Sequence, residues 1–164
     1  MGSMGKLRHL ALSVEDPWAT AAFYMDAFGM KKIGEVDTSM VLGVYLSDGI
    51  INMAILKYKT DELAGPRGKD WVGIHHLGFW VDDVKASQSQ LSELGATHFA
   101  GEPTEDNNFY EVKYTDPDGI IVDITANGWG GAVKEVQAAG SSAPRLTRPD
   151  LQADRSKLKV AAKG

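Results

Sequence analysis

Arg8-His9-Leu10-Ala11-Leu12-Ser13-Val14-Glu15-Asp16 and His75-His76-Leu77-Gly78-Phe79-Trp80-Val81-Asp82-Asp83 align at a constant offset of 67 residues without a gap. His, Leu, Val and Asp coincide, so the chain carries one module twice. In both stretches apolar residues alternate (Leu10, Leu12, Val14 and Leu77, Phe79, Val81), the period-two pattern of a strand with one buried face. A helix should follow each. Asp16 is placed to cap the first, Pro17 to open it and Gly29 to stop it, with Trp18, Ala21, Ala22, Met25 and Phe28 recurring at helical spacing. Asp82 or Asp83 caps the second, which carries Val84, Gln88, Leu91 and Leu94 near one face and ends at Gly95.

A second anchor lies further on. Val44-Tyr45-Leu46-Ser47-Asp48-Gly49-Ile50-Ile51-Asn52-Met53 parallels Tyr114-Thr115-Asp116-Pro117-Asp118-Gly119-Ile120-Ile121-Val122-Asp123, with the Asp-Gly-Ile-Ile core at an offset of 70. Asp-Gly between β-rich runs predicts a hairpin, because glycine takes the positive φ of a tight turn. With one more strand near Lys32 to Met40 and another near Thr97 to Glu102, each half reads strand, helix, three strands. The fold class is α+β, two tandem βαβββ modules. They occupy residues 6–58 and 73–128, joined by an inter-module loop over 59–72. Residues 1–5 are lead-in, Met1-Gly2-Ser3 reading as a cloning scar before Met4. Residues 129–164 form a C-terminal arm or disordered tail: from Val133 seven basic residues face three acidic ones amid Ala, Gly, Ser and Pro. At its junction with the second module, Asn127-Gly128-Trp129-Gly130-Gly131 is a hinge or a domain end.

Composition narrows the function. Among 164 residues, 22 acidic against 17 basic side chains give a net charge of -5, which excludes a general basic field for nucleic acid or anionic lipid. The absence of cysteine removes disulfides, thiolate ligands and a thiol nucleophile and suits a reducing, cytoplasmic setting. No apolar run reaches the roughly 18 residues of a membrane span, and no secretory signal precedes the first strand. The expected partner is a small molecule.

Strand parity selects the candidate site. With Leu10, Leu12 and Val14 on the helix side, His9, Ala11 and Ser13 point the other way, as do His76, Gly78 and Trp80, and Ile121, Asp123 and Thr125. Two imidazoles and a carboxylate, His9, His76 and Asp123, then converge with coordination positions left open, an arrangement suited to iron(II) or manganese(II). By the same parity His75 points away, and His98 lies near a turn. Both are left out. Trp80 and Phe109 are the candidate substrate-binding aromatics. Glu111 and Lys113 receive no role, because nothing anchors the parity of their strand.

These residues resemble the vicinal oxygen chelate superfamily of glyoxalases, extradiol dioxygenases, fosfomycin resistance enzymes and bleomycin resistance proteins. The resemblance spans Lys6 to Gly128 and is carried by His9, by His76 in its His-His-Leu-Gly-Phe-Trp-Val-Asp-Asp run, and by Asp116-Pro117-Asp118-Gly119-Ile120-Ile121-Val122-Asp123-Ile124. It implies a cup-shaped mixed sheet with helices outside, closed around a divalent metal held by His9, His76 and Asp123. Iron(II) or manganese(II) leads, with zinc(II), nickel(II) and cobalt(II) as alternatives. The family's common state is a homodimer, with modules paired within a chain or across subunits. Two departures stand out. The family usually has glutamate where this chain has Asp123, and Met53, at the matching place in the first module, replaces a glutamate or glutamine ligand of the glyoxalases and epimerases. Met53 is a poor ligand for a hard ion. The resemblance therefore implies a dioxygenase-like, metal-dependent enzyme, with a glyoxalase-like lyase or isomerase as one alternative. The other is a non-catalytic binder resembling bleomycin resistance proteins, whose acidic body would suit cationic cargo.

Overall fold

Asp16 leaves the first strand, β1 (Lys6–Ser13), in extended geometry, and its carboxylate accepts hydrogen bonds from the amides of Trp18 and Ala19. Pro17 opens α1 (Pro17–Phe28), and Gly29, at φ 69°, ends it in the left-handed conformation. The computed structural model describes residues 4–104 and 109–137, so the expected scar at Met1–Ser3 and the tail beyond residue 137 lie outside the described residues. The first module continues through β2 (Lys31–Asp37), β3 (Val41–Ser47) and β4 (Asn52–Tyr58). A short helix, α2 (Asp61–Ala64), and a 3-10 turn at Gly65–Arg67 occupy the connection that the sequence presents as plain loop. The second module repeats the plan as β5 (Gly73–Trp80), α3 (Val84–Glu93), β6 (Thr97–Ala100), β7 (Val112–Thr115) and β8 (Ile121–Thr125).

The eight strands form one mixed sheet in the order β2-β3-β4-β1-β5-β8-β7-β6. The modules meet within the chain along antiparallel β1 and β5, while β4 and β8 run parallel to these central strands. Leu10 pairs with Leu77, its own counterpart, so the two halves are related about that contact. On the outer face, Leu12, Val44, Leu46, Met53 and Ile55 pack with Ala21 and Tyr24 of α1, and Val81, Val112, Tyr114 and Ile124 pack with Val84 and Leu91 of α3. Each fully buried aliphatic chain here, such as Leu46 or Ile55, contributes roughly 1.5–3 kcal/mol.

The helices bury narrower faces than their spacing predicts. On α1 the buried residues are Pro17 and Ala21, whereas Trp18, Met25 and Phe28 are exposed. On α3, Val84 and Ser87 are buried and Leu94 is exposed. Small residues at the contact let each helix sit close to the sheet and leave the bulky side chains on its flanks.

The register also corrects the equivalence drawn for Met53. Ala11 pairs with Ala54, as its counterpart Gly78 pairs with Asp123. Ala54 is therefore the structural equivalent of Asp123, and Met53 belongs to the core under α1. The second hairpin's connection, residues 116–120, is one residue longer than the first, residues 48–51, and a one-residue slip exchanges the faces of a strand.

Candidate metal centre and its surroundings

The concave face of the sheet encloses a cavity of about 180 Å³ lined from both modules, among others by His9, Tyr45, Ala54, Tyr58, His76, Glu111 and Lys113. His9 and His76 line it and meet Asp123, all three buried. His9 Nε2 lies 3.1 Å from His76 Nε2, which lies 3.2 Å from Asp123 Oδ2.

Hydrogen-bond partners fix what these atoms offer. Asn52 donates through Nδ2 to the Gly130 carbonyl, which orients its amide so that Oδ1 accepts from His9 Nδ1 at 2.7 Å. The His9 proton is thus on Nδ1, and Nε2 presents a lone pair. The Ala64 carbonyl accepts from His75 Nε2 at 2.7 Å, leaving His75 Nδ1 to accept from His76 Nδ1 at 2.8 Å. His76 Nε2 also presents a lone pair. Burial lowers the His9 imidazole to about 4 and holds His76 well below its ordinary value, so both rings are neutral near pH 7. Two lone pairs face each other beside a carboxylate whose Oδ1 is buried without a hydrogen-bond partner. A divalent cation answers this arrangement: bonds of about 2.1 Å separate adjacent donors of a six-coordinate ion by about 3.0 Å. The donor set fits a metal such as iron(II), manganese(II) or zinc(II).

Beside the donor set stands an ion pair that sequence reasoning left out. Lys113 of β7 is the direct cross-strand partner of Asp123, and its Nζ donates to Asp123 Oδ2 and, at 3.2 Å, to Glu111 Oε2. Burial works against the Lys113 charge, but the carboxylates of Asp123 and Glu111 hold its pKa above the usual value. Burial likewise pushes the Asp123 carboxyl up, to about 7, against the pull of Lys113. Glu111 receives a hydrogen bond of 2.5 Å from Trp129 Nε1 on its other oxygen. Burial would raise the Glu111 carboxyl, but Lys113, His9 and Trp129 hold it below its ordinary value, so it is ionised.

The indole of Trp129 stacks on His9, ring centroids 4.8 Å apart and 8° from parallel, and so closes one side of the centre. Gly78 permits this approach, since a Cβ there would come within 2.6 Å of His9 Cβ and 2.8 Å of the Trp129 ring. Residues 130–134 continue across the first module: Ser47 donates to the Gly131 carbonyl and Arg8 to those of Val133 and Lys134. Of the two substrate-binding expectations, Phe109 lines a cavity of about 290 Å³ with Ile33, Tyr45, Asn52, Glu111 and Trp129. Trp80 donates its indole N–H to the Ala126 carbonyl and packs against Gly128.

His75, left out by parity, reaches the centre because it is the extra residue of a β-bulge. Ala11 pairs with His76 and Leu12 with Ile74, which leaves His75 unpaired and lets its ring turn inward beside that of His76. Its Nδ1 also lies 3.0 Å from the Tyr58 hydroxyl. No sequence signal marks the bulge. For Glu111 and Lys113 the alternation of Val112 and Tyr114 becomes a signal only once β8 anchors it: that apolar pair turns outward, which places its neighbours inside.

Among the described residues, no helix is long and apolar enough to cross a membrane. The family model Glyoxalase/Bleomycin resistance protein/Dioxygenase superfamily matches residues 6–124. The chain is 28% identical over 130 residues to an ethylmalonyl-CoA/methylmalonyl-CoA epimerase of Cereibacter sphaeroides, covering 74% of this chain and 97% of the relative. Among solved structures it resembles a Streptomyces coelicolor methylmalonyl-CoA epimerase variant in complex with 2-nitronate-propionyl-CoA, with a TM-score of 0.62 and 17% identity over 74% of this chain and 94% of that one. A hypothetical protein from Bacillus halodurans gives a TM-score of 0.58 and 19% identity over 83% and 99%. At such identities these structures show likeness of fold. Since the matched span runs through both modules and includes all three donors, the chain belongs to the Glyoxalase/Bleomycin resistance protein/Dioxygenase superfamily.

Proposed function

We propose that this protein is a metal-dependent isomerase, of epimerase type, that moves a proton at a carbon next to a carbonyl group. The observation that carries this reading is Glu111, an ionised carboxylate lining the cavity beside the His9, His76 and Asp123 donor set. The dioxygenase reading rested on the loss, at Met53, of the glutamate or glutamine ligand of the glyoxalases and epimerases, and Glu111 supplies a carboxylate beside the donor set for the proton transfer that isomerase chemistry needs. The matched relatives named for an activity are epimerases, which favours the same alternative. Their names suggest the substrate class, an acyl-coenzyme A thioester with an acidic carbon beside the thioester carbonyl.

A divalent ion held by His9, His76 and Asp123 would supply a Lewis acid that stabilises negative charge on the substrate carbonyl oxygen. Glu111 takes the proton from the α-carbon, and the electron pair of that C–H bond moves into the carbonyl to form the enolate. Tyr45, on β3, lines the same cavity, and burial raises its phenol, keeping it protonated and able to return a proton to the other face of the carbon. Asn52 and His75 hold the two imidazoles, and Trp129 shields the His9 side from water.

The test is exchange of the α-proton of methylmalonyl-coenzyme A in deuterated solvent, followed by proton NMR with metal-loaded protein. Exchange by the native protein, lost in Glu111→Gln with metal content retained, is expected. Equal exchange by the variant refutes the assignment of the base. Oxygen uptake with a catechol, without exchange, would restore the dioxygenase reading.

A further inference from the structure

Asp123 spends one oxygen twice. Its Oδ2 accepts from the Lys113 ammonium and is also the oxygen nearest His76 Nε2, whereas its Oδ1 has no partner. Among the described residues lining the central cavity, Lys113 is the one Lys or Arg. Its side chain is 15% exposed and that of Asp123 fully buried. Its charge therefore acts where solvent screens little.

Charge balance shows what the ammonium does. Two buried carboxylates, Asp123 and Glu111, face neutral imidazoles, and a buried carboxylate left without a cation is strongly unfavourable. Lys113 reaches both from a flexible four-carbon stem, as a compact charge that imposes no coordination geometry. The same ammonium can therefore leave Oδ2 and keep its bond to Glu111 with little movement of the backbone.

We propose that Lys113 is the resident counter-cation of the donor set. Without a metal its ammonium holds Asp123 Oδ2. A divalent ion entering between His9, His76 and Asp123 displaces it from that oxygen onto Glu111, so Lys113 sets how tightly the cup holds its ion. This rests on the reading of the three residues as a metal site and is independent of the proton-transfer chemistry. Metal binding is an exchange of one cation for another, and the cup keeps its fold in either state. After the exchange Lys113 would remain paired with Glu111, the residue assigned as base.

The experiment measures affinity for manganese(II) and zinc(II) by competition with a chromophoric chelator, alongside thermal unfolding of the metal-free and loaded full-length protein. Lys113→Met should bind metal more tightly, on the order of tenfold or more, since its competitor is gone. Its metal-free form should melt lower than the native protein, with the deficit largely recovered by metal. Should that variant fail to fold, Lys113→Met with Glu111→Gln removes one cation and one anion together and leaves the net charge of the cluster unchanged. It should still bind more tightly than the native protein, because the direct competitor is absent although the surrounding field is the same. Unchanged or weaker affinity in both variants, with binding abolished in His76→Ala, overturns the exchange while leaving the metal site standing. If the native protein and every variant fail to bind either ion, Lys113 is a fixed structural partner and the metal reading falls with the proposal.

Discussion

Replacing His75 with alanine tests the centre at a residue outside the His9, His76 and Asp123 donor set. His75 holds the His76 ring by accepting from Nδ1 at 2.8 Å and is itself anchored by the bond from its Nε2 to the Ala64 carbonyl at 2.7 Å. Without it His76 Nδ1–H loses its acceptor, and the ring is free to rotate or to change tautomer, which would put the proton on the ligating nitrogen. Removing such an outer partner of a metal-binding histidine lowers affinity by about 10–100-fold. That corresponds to about 1.4–2.7 kcal/mol. The metal-free fold should also weaken by about 1–3 kcal/mol, because buried polar groups of His76, Ala64 and Tyr58 lose a partner. For a chain of this size each kcal/mol lowers Tm by roughly 2–4 °C. Chelator competition with zinc(II) measures the first effect and calorimetry the second. His75→Asn, whose side-chain oxygen can accept from His76, should recover part of the affinity, whereas a merely structural role would predict no such rescue. Affinity in His75→Ala within twofold of the native value would refute the orienting role.

Other outcomes follow from neighbouring residues. Gly78→Ala drives a Cβ to within 2.6 Å of His9 Cβ and 2.8 Å of the Trp129 ring, so it should destabilise the protein by about 1–3 kcal/mol in urea unfolding and disturb the Trp129–His9 stack, read as a change in indole fluorescence. Ala54→Glu adds a carboxylate at the place equivalent to Asp123; the metal-free protein should melt lower and metal affinity should rise, and a drop in affinity would count against the pseudo-symmetric placement. In the metal-free protein, His9 has a folded pKa of about 4 against 6.5 when unfolded, so the unfolded chain binds more protons between these values. The His9 contribution, about 3 kcal/mol, is present above pH 6.5 and lost as pH falls toward 4, and His76 acts in the same direction. Asp123, raised to about 7, acts oppositely, its contribution being present at low pH and lost as pH rises from 3.8 to 7. Asp123→Asn should therefore steepen the rise of stability between pH 4 and 6.5 in urea titrations, and a flatter profile would contradict this assignment.

Alternation and turn chemistry made most of the architecture legible. The duplicated His-x-x-x-x-Val-x-Asp strand ends, the cap at Asp16, the stop at Gly29 and the two Asp-Gly turns are local signals, and each corresponds to a local interaction in the structure. Parity brought His9, His76 and Asp123 to one face because the pairings of His9–Ser13 with β4 and of His76–Trp80 with β8 run without a shift, the bulges falling one residue before each histidine. What failed depended on events without a local signature. Two residues, Ile50 and Ile51, separate the first Asp-Gly from β4, but one, Ile120, separates the second from β8, which moved the equivalent of Asp123 from Met53 to Ala54. The buried faces of α1 and α3 were misjudged because hydrophobic spacing does not reveal that the small residues Ala21 and Ser87 are buried while Trp18, Phe28 and Leu94 are exposed. Glu111 and Lys113 were missed because β7 is only four residues long, too short for its alternation to anchor itself without its partner β8.

The bulge at His75 has a twin, and the pair explains how a duplicated module became an asymmetric site. On β1, Leu7 pairs with Phe79 and His9 with Gly78, so Arg8 is the unpaired residue there, at the position equivalent to His75. Both modules therefore free one side chain immediately before the histidine that faces the cavity. In the second module that side chain is an imidazole, and it turns inward to orient His76. In the first it is a guanidinium, which binds the carbonyls of Val133 and Lys134 and ties down the segment that carries Trp129 over His9. The orienting role for His9 passes instead to Asn52, on the adjacent strand, whose amide the same segment holds through Gly130. One backbone device thus serves the two donors by different routes, directly through His75 and indirectly through Arg8. Arg8→Ala should consequently reduce metal affinity less than His75→Ala while loosening the 129–134 segment, measured as faster amide exchange there. Equal losses of affinity with no change in exchange would show that Arg8 does not act through that segment.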